Sequence, residues 1–279
     1  MAAIDGYDIV QLVRQLDHTE LYRATGPGGA AVALKIHREG ANGAAADPIG
    51  REAAILTRLG GRYAPALVAR GTAGQGDERP YLAAAWRPGD ALLEAADARR
   101  ARPGGRAALL DLCGSVLAAY QFLHAQGVVH GDVHPGHLVV EGDGSVAVLD
   151  FGAARVLDAS SPYCDAPRAP PGPYLDPASA HVLLAGRKPP PASTTSDLYG
   201  LAVLLYRLIT GAHPVDFAAE PDLLLRQVLR EPPLSFDRRG APPWPALEAI
   251  LIRALRKQPS RRFESVAALR RALVAIREP

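Results

Sequence analysis

The residues able to do chemistry concentrate between Val128 and Gly152, where the chain reads VVHGDVHPGHLVV, then EGDGS, then VAVLDFG. Asp132 follows His130 on a loop entered from an apolar pair. Two short apolar runs, 138–140 and 146–149, flank a Gly-containing turn and read as a β-hairpin. Asp150 stands where the second run ends, followed by Phe151 and Gly152. Two carboxylates at the mouths of short strands suit phosphoryl transfer. One can accept the proton of an attacking hydroxyl, and the other can hold Mg²⁺ between nucleotide phosphates. The plainer reading is a hairpin with solvated acids in its turns, since a three-residue match is weak by itself. Both triplets with a hairpin of this length between them are more specific.

Further elements must position these groups. Residues 7–16, 20–24 and 30–37 alternate polar and apolar, and Gly26-Pro27-Gly28-Gly29 makes a turn between the last two, so three antiparallel strands fit. The third, VALKI, sets Lys35 among apolar neighbours. A half-buried Lys needs an anionic partner, and a nucleotide phosphate or a helix Glu would serve; an ordinary edge-strand Lys is the alternative. Residues 38–50 are Gly/Ala-rich and read as a loop. Residues 51–60 read as a helix with Ile55, Leu56 and Leu59 on one face and Gly60-Gly61 ending it. Glu52, one turn before Leu56, shares that face and is the expected partner of Lys35, unless it is simply a first-turn Glu favoured by the helix dipole.

Residues 66–70 and 80–85 read as two more strands, after which Trp86-Arg87-Pro88-Gly89 breaks the pattern. A long helix over 106–127 leads into the His130 loop. His130, after a Val-Val pair, reads as a packed structural histidine. Residues 153–191 are Pro/Gly/Ala-rich. SDLYGLAVLLYRLIT at 196–210 is apolar around most of its circumference, so it reads as a buried helix. Asp197 near its start is expected to cap it, to bond the backbone of the His130 loop, or both. Residues 221–230, 246–256 and 264–276 read as three amphipathic helices. Strands, one helix, strands, then many helices imply an α+β chain: a small sheet-rich lobe followed by a helical lobe.

Composition bounds the function. At 279 residues, 48% hydrophobic and 22% charged, the chain can bury a sizeable core. From a net charge of +2 alone no strong polyanion or membrane affinity follows, and no nucleic-acid partner is expected. No membrane span or signal pattern is read from the apolar runs. Cys113 and Cys164 lack metal-ligand spacing, so a reduced, cytoplasmic protein is the simplest expectation. Heavy Ala, Arg, Gly and Pro usage suggests a GC-rich bacterial genome.

With these residues in place, the sequence resembles the eukaryotic-like Ser/Thr protein kinases of bacteria. His130-Gly131-Asp132 looks like the family's HRD, and Asp150-Phe151-Gly152 is its DFG. The resemblance implies a bilobal protein-kinase-like fold, with an N-lobe of antiparallel sheet plus one helix over 1–86 and a larger helical C-lobe over 87–279. It implies ATP as co-substrate with Mg²⁺ or Mn²⁺, and a protein or peptide as substrate. Asp132, Lys35 and Glu52 are then the catalytic candidates. Nucleotide contacts fall to Lys35, Ala33, Leu21, Ala85, Arg87 and Asp150, and metal contacts to Asp150 and His137. By spacing, Ala84 gates the back of the adenine pocket, which a residue so small would enlarge. Ser160, Ser161 and residues 193–196 are candidate autophosphorylation sites. The HGDVHPG loop, the stretch 172–187 and the PPWPALEAILIRAL segment further resemble the kinase-like domains of class III and IV lanthipeptide synthetases.

Several positions depart from the family pattern. Arg14, Leu16 and Thr19 stand where its three loop glycines belong, with Asp17 and His18 between them; glycines there let backbone N–H groups approach phosphates. Gly131 replaces the Arg that receives an activation-loop phosphate. His134 stands where Lys contacts the γ-phosphate. His137 replaces the metal-binding Asn, and nitrogen suits Mg²⁺ less than Mn²⁺. Ala178 replaces the Glu of A-P-E, so Arg262 must find another partner or stay solvated. These departures keep open a pseudokinase that binds nucleotide or a partner without transfer, and the HGD loop is shared with small-molecule phosphotransferases.

Overall fold

The computed structural model describes residues 3–16, 19–37, 47–73, 79–166 and 172–276. The chain divides into two compact units. Residues 1–88 join 147–152 in the first, and 89–146 join 153–279 in the second. The segment with Asp150 thus groups with the first unit, whereas the linear order of the sequence assigns it to the helical lobe.

The first unit is an antiparallel sheet with one helix. Its strands are β1 (Ala3–Ile4), β2 (Tyr7–Leu16), β3 (Thr19–Thr25), β4 (Ala31–His37), β5 (Leu67–Ala73) and β6 (Arg79–Ala85), in the order β1-β2-β3-β4-β6-β5. Period-2 alternation decides the faces of β4. Val32, Leu34 and Ile36 are buried against Tyr7, Ala24 and Tyr81, which leaves Ala33 and Lys35 on the opposite face. The helix α1 (Pro48–Leu59) starts where Asp47 accepts the Gly50 N–H at 2.7 Å and Pro48 occupies the first turn, and it ends at left-handed Gly60. Its buried face includes Glu52, Ile55, Leu56 and Leu59. Just after it, the Tyr63 carbonyl accepts the Val148 N–H at 2.8 Å, which ties residues 147–152 to this unit.

The second unit is helical. In chain order it carries β7 (Asp90–Ala91), α2 (Leu92–Arg100), α3 (Gly105–Ala125), β8 (Val128–Val129) and β9 (Leu138–Val140). Then come β10 (Val146–Val148), within which the division between units falls, and β11 (Arg155–Val156). The remaining helices are α4 (Pro177–Leu184), α5 (Thr194–Thr210), α6 (Pro221–Arg230), α7 (Pro245–Ala254) and α8 (Val266–Ala275). The apolar α5 is buried along nearly its whole length. The helix α3 packs on α2, α5 and α8, with Leu112, Val116, Tyr120 and Leu123 buried. By length and composition alone α3 could also cross a membrane, but half of its apolar window is buried inside the fold.

Three local expectations change. The helices α2 and α4 were not legible. In α2 only Leu92, Ala95 and Ala96 are buried, too few for a clear stripe, and α4 is a short helix in a Pro-rich segment. The N-cap of α5 is Ser193, not Asp197. Ser193 and Ser196 form a reciprocal capping box, which frees Asp197 for the loop after β8.

Candidate active site

In the first unit, Lys35 is the centre of a three-member charge cluster. Its Nζ lies 2.8 Å from Glu52 Oε2 and 2.8 Å from Asp150 Oδ1. Burial pushes the Lys35 pKa down, but Glu52 and Asp150 more than offset it, so the pKa is raised and the ammonium is kept charged. The Glu52 side chain is 8% exposed and that of Asp150 36%, so the Asp150 arm is the one open to solvent. The Arg51 guanidinium also reaches the Gly152 carbonyl, at 3.3 Å. Asp150 has φ 57°, in the left-handed region that a non-glycine residue seldom occupies, and its Oδ1 also accepts the Gly152 N–H at 3.3 Å.

The sheet positions the remaining candidates of this unit. Leu21 lies opposite Lys35 in the β3–β4 register, and Ala33 lies opposite Ala84 in the β4–β6 register. Ala84 is buried. The Ala85 N–H donates to the Ala66 carbonyl at 2.8 Å and the Trp86 N–H to the Ala31 carbonyl at 3.0 Å, so both donors are used within the sheet. Arg87 follows, half-buried. At the other end of the sheet, Arg14 pairs with Leu21 and Leu16 with Thr19, so β2 and β3 remain paired up to the two residues between them. Those two, Asp17 and His18, lie outside the described residues.

In the second unit, the loop after β8 is built around Asp197, which is 1% exposed. Its carboxylate accepts the N–H groups of His130 and Gly131, each at 2.9 Å, and lies 2.9 Å from His124 Nε2. Burial alone would raise the Asp197 pKa; the bonded His124, together with His130 and the Gly131 N–H, lowers it below the usual carboxylate value. His130 is fully buried, packs edge-on to Tyr120, and through Nδ1 accepts the Asp132 N–H at 3.3 Å. Gly131 has φ 75°, and a Cβ there would come within 2.7 Å of the Ala153 carbonyl oxygen. A side chain at this position would therefore be strained, whereas glycine is not.

Asp132 itself keeps a third of its side chain exposed. A 3₁₀ turn, Pro135–His137, is capped by His134 and brings His137 back to Asp132. His137 Nδ1 is 3.2 Å from the Asp132 carbonyl oxygen and 3.5 Å from its carboxylate. Because a carbonyl only accepts, Nδ1 carries a proton in this contact. His137 is buried, His134 exposed. Elsewhere in this unit, Arg262 is 5% exposed and donates to the carbonyls of Arg256, Lys257 and Thr195 at 2.6, 2.9 and 3.1 Å. Three backbone oxygens thus take the place of the missing Glu at position 178.

These arrangements match a known domain over almost the entire length. The model of the protein kinase domain matches residues 20–272. The chain belongs to the protein kinase domain family. Serine/threonine-protein kinase PknB of Mycolicibacterium smegmatis is 30% identical over 171 residues, covering 61% of this chain and 26% of that protein. Serine/threonine-protein kinase Pkn1 of Myxococcus xanthus is 34% identical over 206 residues, covering 72% of this chain and 28% of that protein. The chain therefore spans about a quarter of the length of these relatives. The crystal structure of the Mycobacterium tuberculosis PknI kinase domain, in a cysteine-to-alanine mutant form, superposes with a TM-score of 0.66 over 98% of this chain and 96% of that one. At 23% identity that likeness speaks to the fold, which is the bilobal α+β fold of the kinases.

Protein kinases use ATP and a divalent metal ion. Among the described residues no three His, Cys, Asp or Glu side chains gather into a metal cage. Mg²⁺ needs none when one or two carboxylates and the substrate phosphates complete its shell. The half-open carboxylate of Asp150 fits that role. His137 offers nitrogen rather than oxygen, and one of its two nitrogens is already committed to Asp132. Sequence reasoning passed over the surroundings of Tyr174. Arg207 Nη1 donates to its hydroxyl at 2.9 Å, and no spacing in the sequence links residues 33 positions apart on a loop and a helix.

Proposed function

We propose that this chain transfers the γ-phosphoryl group of ATP to a Ser or Thr hydroxyl of a protein or peptide. The observation that carries the reading is Lys35 held at 2.8 Å by both Glu52 and Asp150. The cluster of one ammonium and two carboxylates carries a net charge of −1, which favours a divalent cation at the solvent-facing Asp150. Asp150 would hold the cation, and Lys35 with Glu52 would then be a pair whose ammonium could bind phosphate oxygens. Leu21, Ala33 and the backbone at Ala85 and Arg87 would line the nucleotide site.

ATP supplies the phosphoryl group, and the metal ion neutralises the charge that develops on it. Asp132 orients the substrate hydroxyl and accepts its proton, the role for which a partly exposed carboxylate on a rigid loop is suited. Asp197 holds that loop by two backbone bonds, and His137 holds the Asp132 carbonyl. Both groups act on position rather than on the reacting atoms. His137 would supply nitrogen to any second metal, so Mn²⁺ is expected to serve at least as well as Mg²⁺. Cys113 and Cys164, neither of them in a disulfide, suit a reducing cytoplasm.

The test uses purified protein with labelled ATP and a generic protein substrate, in Mg²⁺ and in Mn²⁺, beside Asp132→Asn and His137→Asn. Transfer lost in Asp132→Asn, and a Mg²⁺ preference gained in His137→Asn, are the expected results. Protein that still binds ATP but transfers nothing under either metal would sink the reading and leave a nucleotide-binding module.

A further inference from the structure

We propose that the surface built by His134, Tyr174, Arg207 and His213 selects substrates with an acidic side chain, Asp or Glu, close to the accepting hydroxyl. The inference rests on the kinase reading above and adds the substrate class to it.

The four residues form one connected group in the second unit. His134, two positions beyond Asp132, packs edge-on to Tyr174, with ring centroids 5.5 Å apart. Tyr174 packs on His213 at 5.4 Å, and His213 on Phe217 at 5.8 Å. Arg207 links the ladder: its Nη1 is 2.9 Å from Tyr174 Oη and 3.2 Å from His213 Nε2. Gly200, on the same helix α5 as Arg207, allows this approach. A Cβ there would come within 3.1 Å of the Tyr174 carbonyl oxygen.

The group is rich in donors and poor in acceptors. Arg207 is half-buried, and among the described residues both of its bonded partners are neutral. A guanidinium has five N–H donors in a fork that matches a carboxylate. A neighbouring acid, Asp216, is already paired with Arg239 at 2.5 Å. His213 Nε2 accepts from Arg207, so the proton sits on Nδ1, which is buried with no acceptor. Burial first, then Arg207, Arg239 and His134, push the His213 pKa down to about 4, so His213 is neutral and Arg207 is the cation beside it. A cation in such a place lacks its counter-ion, and a substrate carboxylate would supply one by a charge-assisted, two-pronged bond. An extended peptide advances about 3.3 Å per residue, so a side chain a few positions from the hydroxyl at Asp132 reaches this group.

The test scans a single Glu, and in a matched series a single Lys, along a Ser peptide otherwise of Ala. Binding is read by fluorescence anisotropy without ATP, and transfer is read separately with labelled ATP. Glu at one or two positions should tighten binding about tenfold over Ala, and Lys should weaken it. Arg207→Met should abolish the discrimination, Arg207→Glu should turn it toward Lys, and Arg207→Lys should keep its sign. Equal binding of both series by the unaltered chain would overturn the inference, as would discrimination unchanged in a folded Arg207→Met or Arg207→Glu. Discrimination in binding with no label transferred would support this inference and sink the transfer reaction. Transfer without discrimination would do the reverse.

Discussion

Replacing Lys35 by Met separates what the charge cluster does for stability from what it does for chemistry. The substitution keeps most of the apolar volume and removes the cation shared by Glu52 and Asp150. With its side chain 8% exposed, Glu52 is left as a buried carboxylate without its counter-ion. Stranding one member of such a pair costs about 3–5 kcal/mol. The Asp150 arm adds little, because a third of that side chain already faces water. Adding Glu52→Gln removes the stranded charge, so the double variant should be more stable than Lys35→Met alone, with a coupling energy of about 2–3 kcal/mol. The sequence offers the assay, since of its two tryptophans Trp86 lies in the first unit and Trp244 in the second. Urea unfolding followed by Trp86 fluorescence, in a Trp244→Phe background, reports the first unit. Phosphoryl transfer should be lost in both variants, with only stability restored in the second. Strict additivity, or a cost for Lys35→Met below about 1 kcal/mol, would refute the account of Lys35 as the buried counter-ion of Glu52.

Two further outcomes follow from the loop that carries His130, Gly131 and Asp132. Gly131→Ala should cost roughly 1–3 kcal/mol and lower transfer, because the new Cβ meets the Ala153 carbonyl at 2.7 Å and φ 75° strains any side chain; thermal unfolding beside the transfer assay checks both. The folded-state pKa of Asp197 is lowered, so its stabilisation is complete above the unfolded value of about 3.9 and is lost as pH falls through the folded value below it. Urea titrations across the acid range should show that slope in the unaltered chain. They should show it diminished in Asp197→Asn, together with a lower stability at neutral pH.

Much of the fold was legible because its signals are local. Alternation marks β2, β3 and β4. Gly60 punctuates the end of α1, and an apolar circumference marks α5. The contact of Lys35 with Glu52 was also legible, since one lies among apolar strand residues and the other on the inward stripe of a helix. The helices α2 and α4 were not, for want of a stripe and of length.

What the sequence alone determined is the order of elements, the family pattern, and which residue types stand at each motif position. Only the tertiary structure decided how the departures are accommodated. It gives Arg262 three carbonyls in place of a Glu, and Gly131 a backbone conformation and a close neighbour that would strain any side chain. It gives Lys35 a second carboxylate 115 residues away, and it gathers Tyr174, Arg207 and His213 into one hydrogen-bonded group. The physical reason is the same in each case. Periodicity and capping record interactions within a few residues, whereas a buried polar group is satisfied by whichever distant backbone or side chain the packing brings within about 3 Å.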